Sequence, residues 1–226
     1  EPALRDSLER LTEQFGERWA RQPHKRLPWD EGLLGQDPAA VREALPPAYL
    51  ALAQAAGRAE GVSPWWLIAH MLQESRFKAR ARSHAGALGP MQVLPRTGLR
   101  IAERVGFPAG DFFEDELYRP GVALRHAAWY LAALRHEFRG KLTLAIAAYN
   151  GGPRRFAEHT AAFAGQDYDL MVEEIGAHES RNYLRKVSDH LIRYAALYAD
   201  DAEYAALRDA IAEPGDVPVA RGEIRF

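Results

Sequence analysis

Almost everywhere in this chain the apolar residues recur at steps of three and four, and nowhere do they alternate convincingly at two. That pattern can bury helices against one another but cannot fill one face of a sheet. Leu124, Ala127, Ala128, Leu131, Leu134 and Phe138 form one such stripe; Tyr183, Leu184, Val187, Leu191, Tyr194 and Tyr198 form another. Abundant Ala and scarce β-branched runs favour the same class, a mostly α protein. With 226 residues, 47% of them hydrophobic, the chain is long enough for one sizeable core and a small accessory segment, and disorder as the default is excluded.

Start and stop signals divide the chain. Leu4, Leu8, Leu11, Phe15 and Trp19 predict an amphipathic helix over 3–21 that stops before Pro23. The Pro- and Gly-bearing stretch 22–47 reads as an extended connection with at most a short helix near 38–44. The expected organisation is therefore an N-terminal helical extension and linker at 1–45, a main domain at 46–200, and a helix end with an irregular tail at 201–226. Within the main domain, helices are expected over 49–60, closed by Gly61, and from Ser63-Pro64 to about Glu74 or Ser75. Further helices are expected over 95–105, from Pro120 to a stop at Gly140, over 141–149, and over 180–199. Residues 80–95 read as a loop and 111–119 as an acidic, aromatic connection.

Lys and Arg number 29 and Asp and Glu 31, a difference of −2, so global charge announces no nucleic-acid or anionic-membrane partner. Without cysteine there is no disulfide scaffold, thiolate metal site or thiol nucleophile. No run approaches the roughly 20 apolar residues of a spanning helix, and the chain opens Glu1-Pro2 without leader character, so it reads as a soluble, processed or trimmed chain. His70, His84, His126 and His136 lack a ligand-like companion set, which predicts no metal, and nothing calls for a cofactor.

The sharpest local feature is a carboxylate, Glu74, in the last turn of an otherwise apolar helix. The negative end of the helix dipole and the neighbouring Trp65, Met71 and Leu72 both disfavour its ionised form, raising its pKa toward the range of a general acid at neutral pH. A solvated terminal Glu is the bland alternative. The next segment, 75–92, weighs against it: it holds no Asp or Glu, supplies glycines, and ends Met91-Gln92.

Four segments carry a resemblance to a known family. They are Gln73-Glu74-Ser75-Arg76-Phe77; Gly86-Ala87-Leu88-Gly89-Pro90-Met91-Gln92-Val93-Leu94-Pro95; Ala148-Tyr149-Asn150-Gly151-Gly152-Pro153; and Glu174-Ile175 through Glu179-Ser180-Arg181-Asn182-Tyr183. In this order and spacing, over about residues 46–198, they resemble the lytic transglycosylases of the soluble (SLT) type, on the goose-lysozyme-like fold. Pro90, Gly151 and Gly176-Ala177 depart from the commoner residues of that pattern, which bears on subsite shape.

The resemblance implies a lysozyme-like catalytic domain at 46–200 acting on peptidoglycan glycan strands in the bacterial periplasm. It implies a cut between N-acetylmuramic acid and N-acetylglucosamine that leaves a 1,6-anhydro sugar and consumes no water. Glu74 is the implied catalytic residue, with Ser83, Met91, Gln92, Tyr149, Asn150 and Glu179 as substrate-binding residues. Donor and acceptor types fit: the Tyr149 hydroxyl to orient an acetamido group or hold Glu74, the Gln92 and Asn150 amides to grip sugar, and Met91 as an apolar wall. Each has a bland counterpart as a core, loop or cap residue. A basic run, Arg76, Lys78, Arg80, Arg82, Arg96, Arg100 and Arg104, would attract anionic groups or simply be a solvated face; Trp65, Trp66 and Trp129 sit where core packing outweighs sugar stacking. Two alternatives remain open, a hydrolytic muramidase of the goose-lysozyme kind and a catalytically silent glycan-binding module.

Overall fold

A computed structural model describes residues 42–224 apart from 44, 167–170, 172–177 and 213–215. The expected helix at 3–21, most of the 22–47 connection and Glu174 to Ala177 lie outside the described residues. Within them the chain is helical: α1 (Leu50–Glu60), α2 (Pro64–Ser75), α3 (Pro95–Val105), α4 (Pro120–Glu137), α5 (Leu142–Gly151), α6 (Pro153–Ala162), α7 (His178–Tyr198) and α8 (Asp201–Ala212). Isolated bridges pair Arg82 with Leu88 and Leu88 with Val93.

The helix limits follow the sequence signals closely. Ser63 caps α2, its Oγ accepting from the Trp65 N–H at 3.3 Å, with Pro64 in the first turn. Gly61 and Gly106 close α1 and α3 in the left-handed conformation. The acidic connection contains a short 3-10 turn, Glu114–Tyr118. Pro153, the last residue of the third motif segment, opens α6 directly after α5, because proline is well placed in a helix's first turn. The helix expected over 180–199 ends at Tyr198, but 201–212, expected as a helix end and irregular tail, forms a helix of its own, α8, started by Asp200 Oδ1 accepting the Glu203 N–H at 2.8 Å.

Helices α1, α2, α7, α5 and α4 pack in a closed ring, each against the next and α4 back on α1. The interior is filled by α2, buried from Trp65 to Leu72, and by α5, buried from Leu142 to Ala148. This is why both segments read as apolar on every side. Trp65 and Trp66 belong to that core and not to an open surface.

Both ends of α2 are tied down. At its start, Glu203 of α8 accepts from Ser63 Oγ at 2.7 Å and from Trp65 Nε1 at 3.0 Å. At its end, Ser75 Oγ donates to the Pro90 carbonyl at 2.8 Å, fastening the glycine-bearing loop beside Glu74. That loop passes so close to the 3-10 turn that a Cβ on Gly89 would lie 1.7 Å from the Leu117 carbonyl oxygen, and Gly89 has φ +74°. Gly89→Ala is therefore expected to destabilise the fold by about 2 kcal/mol or more, read as a lowered midpoint of denaturant unfolding; a loss under a few tenths contradicts this packing.

Candidate active site

Glu74 sits where α2 ends. The two residues that follow α2, Arg76 and Phe77, take left-handed φ values of 53° and 65°, which turns the chain sharply away and leaves the Glu74 side chain at the helix terminus. Tyr183 of α7 donates its hydroxyl to Glu74 Oε1 at 2.5 Å. Burial pushes the Glu74 carboxyl up to about 7; the Tyr183 hydrogen bond pulls in the opposite direction, and the Glu179 charge adds a smaller upward push. Desolvation dominates, as the apolar surroundings of Glu74 in sequence suggest.

The floor beneath Glu74 is aromatic and uncharged. His70, one turn earlier on α2, is fully buried, and its ring lies edge-on to Tyr149 and Tyr183 with centroids 4.9 and 6.0 Å away. Its Nδ1 donates to the Trp66 carbonyl at 3.0 Å, since a carbonyl can only accept. Burial lowers its pKa to about 4, so the ring is neutral at pH 7. Burial also holds the Tyr149 and Tyr183 hydroxyls well above the usual phenol range, so both remain protonated donors.

The remaining expected residues lie on the surrounding elements. Tyr149, near the end of α5, donates to the Met91 carbonyl at 2.9 Å, so it is Tyr183 and not Tyr149 that holds Glu74. Tyr149 nonetheless senses the Glu74 charge, which is one cause of its raised pKa. Met91 is fully buried, so it shapes the loop from behind. Gln92, with φ +48°, donates its amide to the Gly89 carbonyl at 2.8 Å. Asn150 Oδ1 accepts from the buried Ser180 Oγ at 2.9 Å, joining α5 to α7, and Glu179 is exposed in the first turn of α7. Ser83 accepts the Ala87 N–H at 3.0 Å inside the loop. Among the described residues no three His, Asp or Glu side chains converge as a metal set.

Two residues were missed as site residues: Tyr183, read as a core position, and Ser180. The signal was present, because Tyr183 follows Glu179 by four positions and so shares its helix face one turn on.

Residues 51–172 match the family described as Transglycosylase SLT domain. The chain belongs to this family. It is 33% identical over 169 residues to the membrane-bound lytic murein transglycosylase C of Actinobacillus pleuropneumoniae, covering 65% of this chain and 45% of that protein. An inactive variant of the lytic transglycosylase Slt from Pseudomonas aeruginosa superposes with TM-score 0.64 at 30% identity, over 70% of this chain and 26% of that one. The 70-kDa soluble lytic transglycosylase of Escherichia coli does so with TM-score 0.67 at 26% identity, over 72% and 26%. This SLT chain thus spans less than half the length of these relatives, and the lysozyme-like helical fold is the one it shares with them.

Two outcomes follow for the SLT site. Tyr183→Phe removes a bond that favours the carboxylate, so the Glu74 pKa is expected to rise above about 7 in a carboxyl-carbon NMR titration; a fall contradicts the assignment. Because the folded pKa stands above the ordinary 4.5, the native state binds the extra proton, and stability is lost as pH rises from 4.5 through about 7. Glu74→Gln is then expected to be more stable than the parent above pH 7, by about 3 kcal/mol at most, with the gap closing below pH 4.5 in denaturant titrations.

Proposed function

We propose that this chain is a peptidoglycan lytic transglycosylase that cleaves the bond between N-acetylmuramic acid and N-acetylglucosamine without water, with Glu74 as acid and then base. The observation that carries the reading is a carboxyl whose pKa is raised to about 7 and which is held by a single phenol in an uncharged aromatic floor. The names of its relatives, lytic murein transglycosylases, point to the same substrate. Ordinary glycosidases need two carboxyl groups, about 5–5.5 Å apart for retention or 6.5–9.5 Å for inversion, whereas substrate-assisted enzymes borrow the acetamido oxygen of the sugar. One protein acid is then enough.

At neutral pH a group titrating near 7 is partly protonated, so Glu74 can donate to the bridging oxygen while the acetamido carbonyl attacks C1. The carboxylate left behind accepts the proton of the C6 hydroxyl as that oxygen attacks C1 and displaces the acetamido oxygen, which closes the anhydro ring, restores the acetamido group and returns Glu74 to its acid form. Tyr183 donates throughout, steadying the charged intermediate state of the carboxyl while leaving its second oxygen for the substrate. Gln92, Tyr149 and Asn150 serve as positioning residues through the loop and the ends of α5 and α7, with Ser83 and Glu179 shaping the walls and Met91 backing the loop from the core. Such a substrate places the enzyme in the bacterial envelope; no described helix is long and apolar enough to cross a membrane.

One observation favours a hydrolytic muramidase instead: Glu179 is close enough for its charge to be felt at Glu74, which a water-positioning carboxylate requires. Mass spectrometry of digested cell wall decides, since each transglycosylase product is one water lighter than its hydrolytic counterpart. The anhydro product is expected. Glu74→Gln is expected to lower its formation by at least about a thousandfold while glycan binding persists; unchanged lysis removes Glu74 from this role.

A further inference from the structure

At the opposite end of α2 from Glu74, the last turn of α4 and the C-terminal strap 216–224 border a cavity of about 300 Å³. A helix of this length puts the two ends about 18 Å apart. The strap is held by a carboxylate, Glu137, which is only 2% exposed. It accepts the backbone N–H groups of Gly222 at 2.5 Å, Glu223 at 2.9 Å and Ile224 at 3.2 Å, and the Arg221 N–H donates to the Glu137 carbonyl at 3.0 Å. The two segments are then laced by arginines. Arg221 Nε donates to the His136 carbonyl at 2.9 Å, and Arg139 Nε donates to the Val219 carbonyl at 3.2 Å.

Arg135, Arg139, Arg221 and His136 all line this cavity. Its one lining carboxylate, Glu60, is engaged by Arg125, and Glu223 lies 3.5 Å from His136 Nδ1. The Glu137 carboxylate is committed to three backbone donors. Among the described residues none of the three guanidiniums forms an ion pair. Arg135 and Arg139 also offset the carbonyl end of α4, and Arg221 does so directly through its Nε; among the described residues its two terminal nitrogens are not engaged in this way.

We propose that this cavity binds a phosphate group, free or carried on a larger molecule. A carboxylate is satisfied in its plane by one guanidinium, whereas a phosphate presents tetrahedral oxygens and up to two charges that several forks can share. Three guanidiniums from two chain segments line the cavity with no ion pair among the described residues, which supplies the charge the second requires. Gly61 and Gly140 add no side chain to the walls, so the backbone there is approachable. Nothing in this assignment depends on the chemistry at Glu74.

The test is an NMR titration of the whole chain with inorganic phosphate at constant ionic strength, balanced with chloride. Saturable shifts centred on Arg139, Gly140 and Arg221 are expected, and Arg139→Gln with Arg221→Gln should weaken them by about tenfold or more. Both side chains are exposed, so the fold is expected to survive; Arg139→Lys with Arg221→Lys, which keeps the charge and loses the forks, should fall between. Glu137→Gln, which weakens the grip on the strap, should also lower phosphate affinity while leaving the Glu74 titration unmoved. Flotation with phosphatidylglycerol and with phosphatidylcholine vesicles separates the sources. Retention on the anionic vesicles that the paired Gln substitutions abolish supports a lipid headgroup, and phosphate binding without retention supports a soluble carrier. No saturable phosphate shift, or shifts that the paired Gln substitutions leave intact, overturns the proposal.

Discussion

The bond from the Tyr183 hydroxyl to the Glu74 carboxyl is the contact on which the site depends. It links the terminus of α2 to the body of α7, and those two helices are neighbours in the ring that encloses the core. Packing sets the distance, and the distance sets the chemistry. An isolated carboxyl at a helix end would be an ordinary surface acid; here burial raises its pKa and the phenol limits that rise, leaving a group that can both release and take up a proton near neutrality.

Beneath that bond the structure keeps charge out. His70 lies one turn below, neutral because it is buried, and presents a ring edge to both tyrosines. The loop over residues 78–94 brings no acid to the site, and it is drawn in by the Ser75–Pro90 bond and by the close passage of Gly89 under the Leu117 carbonyl. A side chain at position 89 would push the loop off. The same segment therefore needs glycine for packing and an absence of acids for electrostatics, two demands that the sequence shows side by side.

Much of this was legible in advance because the signals were local. Ser63-Pro64, Gly61 and Pro95 marked helix limits through backbone chemistry that acts over a few residues. The apolar run before Glu74 signalled the burial that perturbs it. What could not be read was tertiary. The partner of Glu74 comes from 109 residues away, and nothing in periodicity says whether a tyrosine on a core stripe spends its hydroxyl on the core or on a site. The swap between Tyr149, which bonds the Met91 carbonyl, and Tyr183, which bonds Glu74, was invisible for that reason. Helix α8 escaped because Asp200 works as a cap only once that helix is docked.

The Glu203 clamp on Ser63 and Trp65 has a temporal meaning as well as a spatial one. Its two sides are 140 and 138 residues apart, so during synthesis α2 emerges long before the carboxylate that secures its first turn. The phenol for Glu74 is also late. A nascent chain thus carries its reactive acid without either restraint while more than a hundred further residues are added, and the proton-transfer geometry is assembled only once α7 and α8 have left the ribosome and settled against it.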